Sequence, residues 1–246
     1  MNTSIQTIPL ANLALAFLPV IIVVLITWKW ALDWPNAVYA VFRMLAQLLL
    51  IGYLLIFIFD SESAILILAI LAVMILASSW IALRTVRHDR LKLYIRALLS
   101  ITVGGGATLL LITQGVVALE PWYLPRYMIP LAGMIFANAL NSVSLAAERF
   151  YAERGRDLSY EEARHTAFRA SLIPITNSLF AVGLVSLPGM MTGQILSGIS
   201  PLIAARYQIM VMCMVYGSAG ISAACFLAML KPAPEENPPA LGKAEP

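Results

Sequence analysis

Seven long apolar stretches dominate this sequence and limit what it can fold into. They lie near residues 8–28, 37–58, 63–83, 95–116, 127–147, 172–187 and 202–229. The core of a bilayer is crossed by about 20 apolar residues of helix, and each stretch comes close to that length. With 61% hydrophobic and only 12% charged residues, the chain has more apolar surface than a water-soluble fold can bury. The sequence therefore predicts an all-α integral membrane protein with about seven transmembrane helices.

Lys and Arg residues predict the orientation of these helices. If all seven stretches cross the membrane, the 16 basic residues lie on one side with three exceptions: Arg43, Arg126 and Arg206. Cytosolic loops carry the excess of basic residues, so we expect the N-terminus outside and the C-terminus in the cytosol. The grouping between apolar stretches indicates topology and not a nucleic-acid surface. Residues 1–230 would form one transmembrane domain, and we expect the Pro-rich polar tail, 231–246, to be a disordered cytosolic segment.

Polar side chains at membrane depth mark candidate functional residues, because lipid cannot satisfy their hydrogen bonds. In the fifth stretch Asn138 and Asn141 share one helical face, and Ser142 flanks it. Such residues either join helices through hydrogen bonds or line a path for a solute, and the sequence leaves both interpretations open. The candidate path residues are Asn138, Asn141, Ser142, Asn177, Thr192, Gln194 and Gln208.

The segment SLPGMMTGQILSGISP, residues 186–201, is uncharged and contains two prolines and three glycines. It is too broken for an ordinary membrane helix and too apolar for an ordinary surface loop. Irregular backbone at membrane depth must be buried in protein or line a cavity. The segment is therefore either an outer gate or re-entrant segment, with Thr192 and Gln194 as its polar contacts, or a tightly packed turn.

Metal binding has weaker support in the sequence. Met190 and Met191 are soft ligands, as are Met212, Cys213 and their neighbours, but ligands on successive positions of one helix point in different directions. A hard cation such as Fe³⁺ needs carboxylates, and Glu148 is the only acid near membrane depth. The chain contains neither HExxH nor GxSxG, so machinery for hydrolysis within the membrane is not evident, and we do not expect an enzyme.

Residues 148–171 form the longest hydrophilic segment between two apolar stretches. Ser159 followed by Glu162 is a capping box, which predicts a helix that begins near Tyr160 and runs towards the sixth stretch. This cytosolic helix is either a surface connector or the element that receives force from a soluble partner. The chain has no G-x-x-x-x-G-K-[ST] motif, so ATP-driven transport would require an ATPase on another polypeptide.

Three segments resemble a known family: GMIFANALNSVSLA (133–146), SLIPITNSL (171–179) and VGLVSLPGMMTGQILSGISPLIAARYQIMVM (182–212). They closely resemble the FetB-like permease family, which comprises membrane subunits of ABC transporters linked to bacterial iron export, with plant relatives linked to aluminium resistance. The resemblance covers about the C-terminal half of the chain. It implies a permease in the bacterial inner membrane, surrounded by lipid.

The resemblance also implies partners. The permease would form a homodimer and pair with a separate cytosolic P-loop ATPase, which uses the ATP and Mg²⁺, while this chain binds no cofactor. Residues 157–171 would be the coupling helix, in a loop more compact than the family's, with Gly155 as its only glycine. The residues expected to dock the ATPase are Tyr160, Glu161, Glu162, Arg164, Ala167 and Phe168.

An ion-coupled secondary transporter of a small solute is the alternative interpretation. Such carriers usually show inverted repeats and a carboxylate or Na⁺ site at membrane depth, and neither is evident in this sequence. Iron as the substrate, and export as the direction, follow from the resemblance and not from the residues.

Overall fold

The computed structural model describes three stretches of the chain: residues 8–61, 63–86 and 90–231. They form helices joined by short turns, as the sequence predicts. The helices fall into two units: residues 8–61 with 196–199, and residues 63–195 with 200–231. Except for Lys231, the tail expected to be disordered lies outside the described residues.

The first unit contains three helices: α1 (Leu10–Leu15), α2 (Leu18–Lys29) and α3 (Trp34–Phe59). Proline occupies the first turn of α2 and of α3, where a backbone amide has no partner within the helix. The Asp33 carboxylate caps α3 by accepting a hydrogen bond from the Asn36 amide at 3.4 Å. Within this described part, no residue of α1 or α2 is buried. Apolar side chains on all sides are typical of helices that contact lipid.

Seven further helices follow, and all of their residues except Leu196 belong to the second unit. They are α4 (Ala64–Ala82), α5 (Arg90–Ile101), α6 (Ala107–Leu110), α7 (Pro125–Arg154), α8 (Tyr160–Ala181), α9 (Gly189–Leu196) and α10 (Pro201–Ala228). A π-helical turn at Thr102–Gly106 joins α5 to α6, and a second one at Leu111–Val116 extends the same long helix. Pro201 begins α10, as the sequence predicts.

Six helical stretches are long and apolar enough to cross a membrane: Leu10–Lys29, Trp34–Phe59, Ala64–Ala82, Arg90–Val116, Pro125–Arg154 and Pro201–Ala228. They correspond to six of the seven predicted spans and confirm the all-α membrane fold. The remaining predicted span, 172–187, overlaps the second half of α8, whose first half is hydrophilic. Its predicted end at Pro188 is wrong, because α8 ends at Ala181 and the chain turns at Gly183 with φ +83°.

Two glycines let other helices pack closely against the helix that contains α5 and α6: Gly104 faces α10, and Gly105 faces α7. A Cβ on Gly104 would lie 2.6 Å from the backbone nitrogen of Ser222, and a Cβ on Gly105 would lie 2.9 Å from the ring of Phe136. Any side chain would therefore push these helices apart. By contrast, a Cβ on the next residue, Gly106, would meet no described atom within 4 Å.

Candidate functional site

The start of α8 is fixed by the capping box that the sequence predicts. The Glu162 amide donates to the Ser159 Oγ at 3.3 Å, and the Ser159 amide donates to the Glu162 carboxylate at 3.1 Å. The Ser159 hydroxyl also donates to that carboxylate at 2.7 Å. These hydrogen bonds stabilise the charged form and lower the pKa of Glu162 below its ordinary value. The first turn of α8 is thus held rigidly at the end of the loop.

Tyr160 ties this first turn to the rest of the second unit. Its hydroxyl donates a hydrogen bond to the Leu227 carbonyl oxygen at 2.9 Å, near the end of α10. Its ring lies 5.9 Å from that of Phe150 on α7 in an edge-to-face arrangement. Tyr160 was predicted to dock the ATPase, and the structure places its hydroxyl in a contact within the chain.

The other predicted docking residues lie on different sides of α8. Glu161 and Arg164 form an exposed ion pair one turn apart. Phe168 is half-buried, whereas Ala167 is fully buried among the helices of the second unit. Docking at Ala167 stays a prediction, but the residue has no exposed surface in this arrangement of the chain.

Two grooves meet beside Phe168. One, of about 430 Å³, follows α8 past Leu172 and Thr176 to Asn177. The other, of about 290 Å³, separates the first half of α8 from the last turns of α10. His165 lines both grooves, a role that sequence reasoning missed. Its spacing from Phe168 and Leu172, three and seven residues, was the available signal.

The polar residues of α7 do not act alike. The Asn138 side-chain amide donates to the Met134 carbonyl of its own helix at 2.9 Å, so it does not join two helices in this chain. Asn141 is exposed. Ser142 is buried and donates to the Ser171 carbonyl of α8 at 3.3 Å. This is the interhelical hydrogen bond that one interpretation expects, although it comes from the serine and not from the asparagines.

The predicted gate segment contains helix α9 and is not irregular throughout. The Thr192 hydroxyl donates to the Pro188 carbonyl at 3.2 Å, within the same segment. Gln194 is half-buried, and its Oε1 has no hydrogen-bond partner among the described residues. A Cβ on Gly189 or Gly193 would meet no described atom within 4 Å, so neither glycine takes part in close packing among the described residues.

Gln208 faces a cavity of about 390 Å³ between the end of α8, α9 and the first half of α10. Three sulfur-containing residues also line this cavity: Met191, Met212 and Cys213. The sequence suggests that Met212 and Cys213 diverge around α10, yet both reach the same cavity. The cavity is wide enough for two successive residues of α10, Met212 and Cys213, to line it together.

Predicted metal ligands are only partly brought together. Met191 lines the Gln208 cavity, whereas Met190 is half-buried outside it and Glu148 is exposed on α7. Among the described residues no three His, Cys, Asp or Glu side chains come together to hold a metal ion. A carboxylate site for a hard cation is therefore absent from this part of the chain.

These helices and buried polar groups define a multi-pass helical membrane protein. The model of an uncharacterised protein family, UPF0014, matches residues 10–158 and 154–233. The chain therefore belongs to the family UPF0014.

Named relatives extend this result. The chain is 34% identical over 243 residues to the probable iron export permease protein FetB of Escherichia coli, covering 89% of this chain and 90% of that protein. It is 32% identical over 225 residues to protein ALUMINUM SENSITIVE 3 of Arabidopsis thaliana, covering 85% and 81%. A UPF0014 membrane protein of Synechocystis is 36% identical over 187 residues, or 69% and 71%. No solved structure matches the chain. The resemblance found in the sequence is confirmed.

Proposed function

We propose that this chain is the permease subunit of an ATP-driven ABC transporter that exports iron or a related metal from the cytosol. The observation that carries the proposal is its 34% identity, over 89% of its length, to a protein named as a probable iron export permease. Because the chain lacks a P-loop motif, the ATP and Mg²⁺ belong to a separate ATPase. The complex would lie in the bacterial inner membrane with the basic loops in the cytosol.

The ATPase would dock at the start of α8. This region presents the exposed pair Glu161 and Arg164 beside the half-buried ring of Phe168, where the two grooves meet. An aromatic side chain in a pocket surrounded by polar groups is the usual form of a strong contact point between proteins. The capping box and the Tyr160 hydrogen bond would keep this surface rigid while the partner moves.

Helix α8 also supplies a route for the force. It runs without interruption for 22 residues, about 33 Å at 1.5 Å per residue. Its first three turns carry the docking surface, and Leu179 near its other end lines the Gln208 cavity. Pro174 lies between them and removes one backbone hydrogen bond, so it marks the place where α8 bends most easily. A force that the ATPase applies at the start of α8 would therefore be transmitted along the helix to the Gln208 cavity.

We also propose that two copies of the chain pair in the membrane. Asn141 and Asn177 are both exposed on helices of the second unit. An exposed amide at membrane depth cannot be satisfied by lipid and needs protein or a water-filled path. A second copy of the chain would supply either the protein contact or the water-filled path. The path for the metal would then run between the two copies, past Asn141 and Asn177. Lipid would contact the apolar surfaces of α2 and α3.

The first test is purification of the tagged chain from its own host in mild detergent, with co-purified proteins identified by mass spectrometry. We expect a P-loop ATPase in equal amount. Glu161→Arg and Phe168→Asp should each reduce the retained ATPase at least tenfold, because they change the charge and the anchor of the docking surface. Inside-out vesicles that contain both proteins should take up iron or the related metal when ATP is added, and iron and Cu⁺ are tested separately.

Glu120→Arg is the matched control for Glu161→Arg. Both residues are exposed acids, and the 30-residue helix α7 separates their positions along the chain. The control should retain the ATPase. If no ATPase accompanies the wild-type chain in several detergents, the proposal fails and an ion-coupled carrier becomes the better interpretation.

A further inference from the structure

The cavity beside Gln208 contains a buried polar atom that nothing in the described chain satisfies. Gln208 is only 5% exposed, and its Oε1 has no hydrogen-bond partner among the described residues. Leaving a buried acceptor unpaired costs about 1–3 kcal/mol. An unpaired acceptor on a residue that lines about 390 Å³ of space favours a ligand with positive charge or a donor group.

The other polar groups at the cavity are all sulfur atoms. Met191 comes from α9, while Met212 and Cys213 come from α10, one turn beyond Gln208. Thioether and thiolate sulfur atoms prefer soft cations such as Cu⁺, whereas carboxylates and water suit hard ones. No carboxylate is among the described residues that line the cavity.

The charge balance favours a monovalent ion. The rest of the lining is apolar and includes Leu179 and Ile209, so uncompensated charge would be costly here. Cu⁺ replaces the proton of the Cys213 thiol, forms a Cu–S bond and releases one H⁺ to solvent, which leaves the site neutral. Fe²⁺ or Zn²⁺ would leave one positive charge in the same surroundings, and Fe³⁺ would leave two.

We propose that this cavity binds a soft monovalent cation, Cu⁺, through the sulfur atoms of Met191, Met212 and Cys213. The negative end of the Gln208 amide dipole stabilises the bound charge. As a statement about transport, this rests on the proposed function and narrows its substrate to a soft cation. Binding itself requires neither the ATPase nor ATP.

The test uses the purified wild-type chain in detergent, under reductant, titrated with Cu⁺ from a colorimetric chelator that competes for it. We expect one Cu⁺ per chain and a tenfold or larger loss of affinity in Met191→Leu, Met212→Leu and Cys213→Ser. Met→Leu exchanges conserve volume, so these variants should remain folded, which gel filtration checks. In the wild-type chain, Cu⁺ should also protect Cys213, but not Cys225, from alkylation as read by mass spectrometry.

The matched controls come from the same helix. Met210→Leu and Cys225→Ser change the same residue types at described positions outside the cavity lining, and their affinity should stay within twofold of wild type. Equal losses in cavity and control variants would overturn the proposal, as would Fe²⁺ or Zn²⁺ binding at least as tightly as Cu⁺. If Cu⁺ binds as expected but no ATPase co-purifies, the ABC proposal fails and the Cu⁺ site stands. If the ATPase co-purifies but Cu⁺ does not bind, only the Cu⁺ site is overturned.

Discussion

The two ends of α10 differ in how completely they are packed. Towards Ala228, Ser222 lies against Gly104, Phe226 is fully buried and the Leu227 carbonyl accepts the Tyr160 hydroxyl. Towards Pro201, Gln208 faces a cavity of about 390 Å³ with its side-chain oxygen unpaired. One helix therefore combines a closed end, defined by the contact of Ser222 with Gly104 and by the buried Phe226, with an open end, where a ligand can enter. Movement is expected at the open end, since it lacks the tight contacts of the closed end.

The largest effect should come from adding a methyl group at the closed end. Gly104→Ala would place a Cβ 2.6 Å from the backbone nitrogen of Ser222, and a backbone cannot move aside as a side chain can. We expect about 1–3 kcal/mol of destabilisation, seen as a lower Tm in detergent. Gly106→Ala is the control, because no described atom lies within 4 Å of its Cβ and alanine favours helix over glycine. Equal losses in both variants would show that the closed end is not tightly packed.

A smaller effect should follow from Tyr160→Phe, which removes one hydrogen bond from the closed end. The lost contact is the 2.9 Å bond to the Leu227 carbonyl, worth about 1 kcal/mol. Amide hydrogen exchange should rise in the first turn of α8 and the last turn of α10, and nowhere else. Tyr53→Phe, at an exposed tyrosine of α3, should change nothing. Faster exchange around Gln208 instead would mean that the two ends are not independent.

The smallest effect should be a pH dependence of the first turn of α8. The pKa of Glu162 is lowered by its hydrogen bonds with Ser159, so the stability it contributes is fully present above its ordinary pKa of 4.5. That contribution is lost as the pH falls through the lowered value. Glu162→Gln keeps the capping box without a titrating group. Below pH 4.5, hydrogen exchange in this turn should accelerate in the wild type relative to the Gln variant. Equal exchange in both at every pH would contradict the role of the carboxylate.

Much of the fold could be predicted from local features of the sequence. Hydropathy and length identified six helical spans, the Ser159–Glu162 spacing located the start of α8, and Pro201 located the start of α10. Each depends on residues a few positions apart. The end of α8 was placed too late because Pro188 is the more obvious terminator, while the turn is made by Gly183 in the left-handed region.

The candidate sites could be predicted only in part, because they depend on which helix faces which. The family resemblance suggested Ala167 as a docking residue, whereas packing against other helices buries it completely. Met212 and Cys213 diverge on an isolated helix, and only the position of Met191 on α9 shows that they share a cavity. A single sequence shows which residues share one face of a helix, but it does not show which other helix packs against that face.

The contact between Gly104 and Ser222 also determines when the second unit can be completed during synthesis. Ser222 follows Gly104 by more than a hundred residues, and chains are made from the N-terminus. A membrane helix satisfies its own backbone hydrogen bonds, so the helices that precede α10 can be inserted in lipid before α10 has been synthesised. During that time the backbone at Gly104, which has no side chain to cover it, lacks its contact with Ser222. Until α10 has been synthesised, the nascent chain is inserted in the membrane but lacks the contact between Gly104 and Ser222.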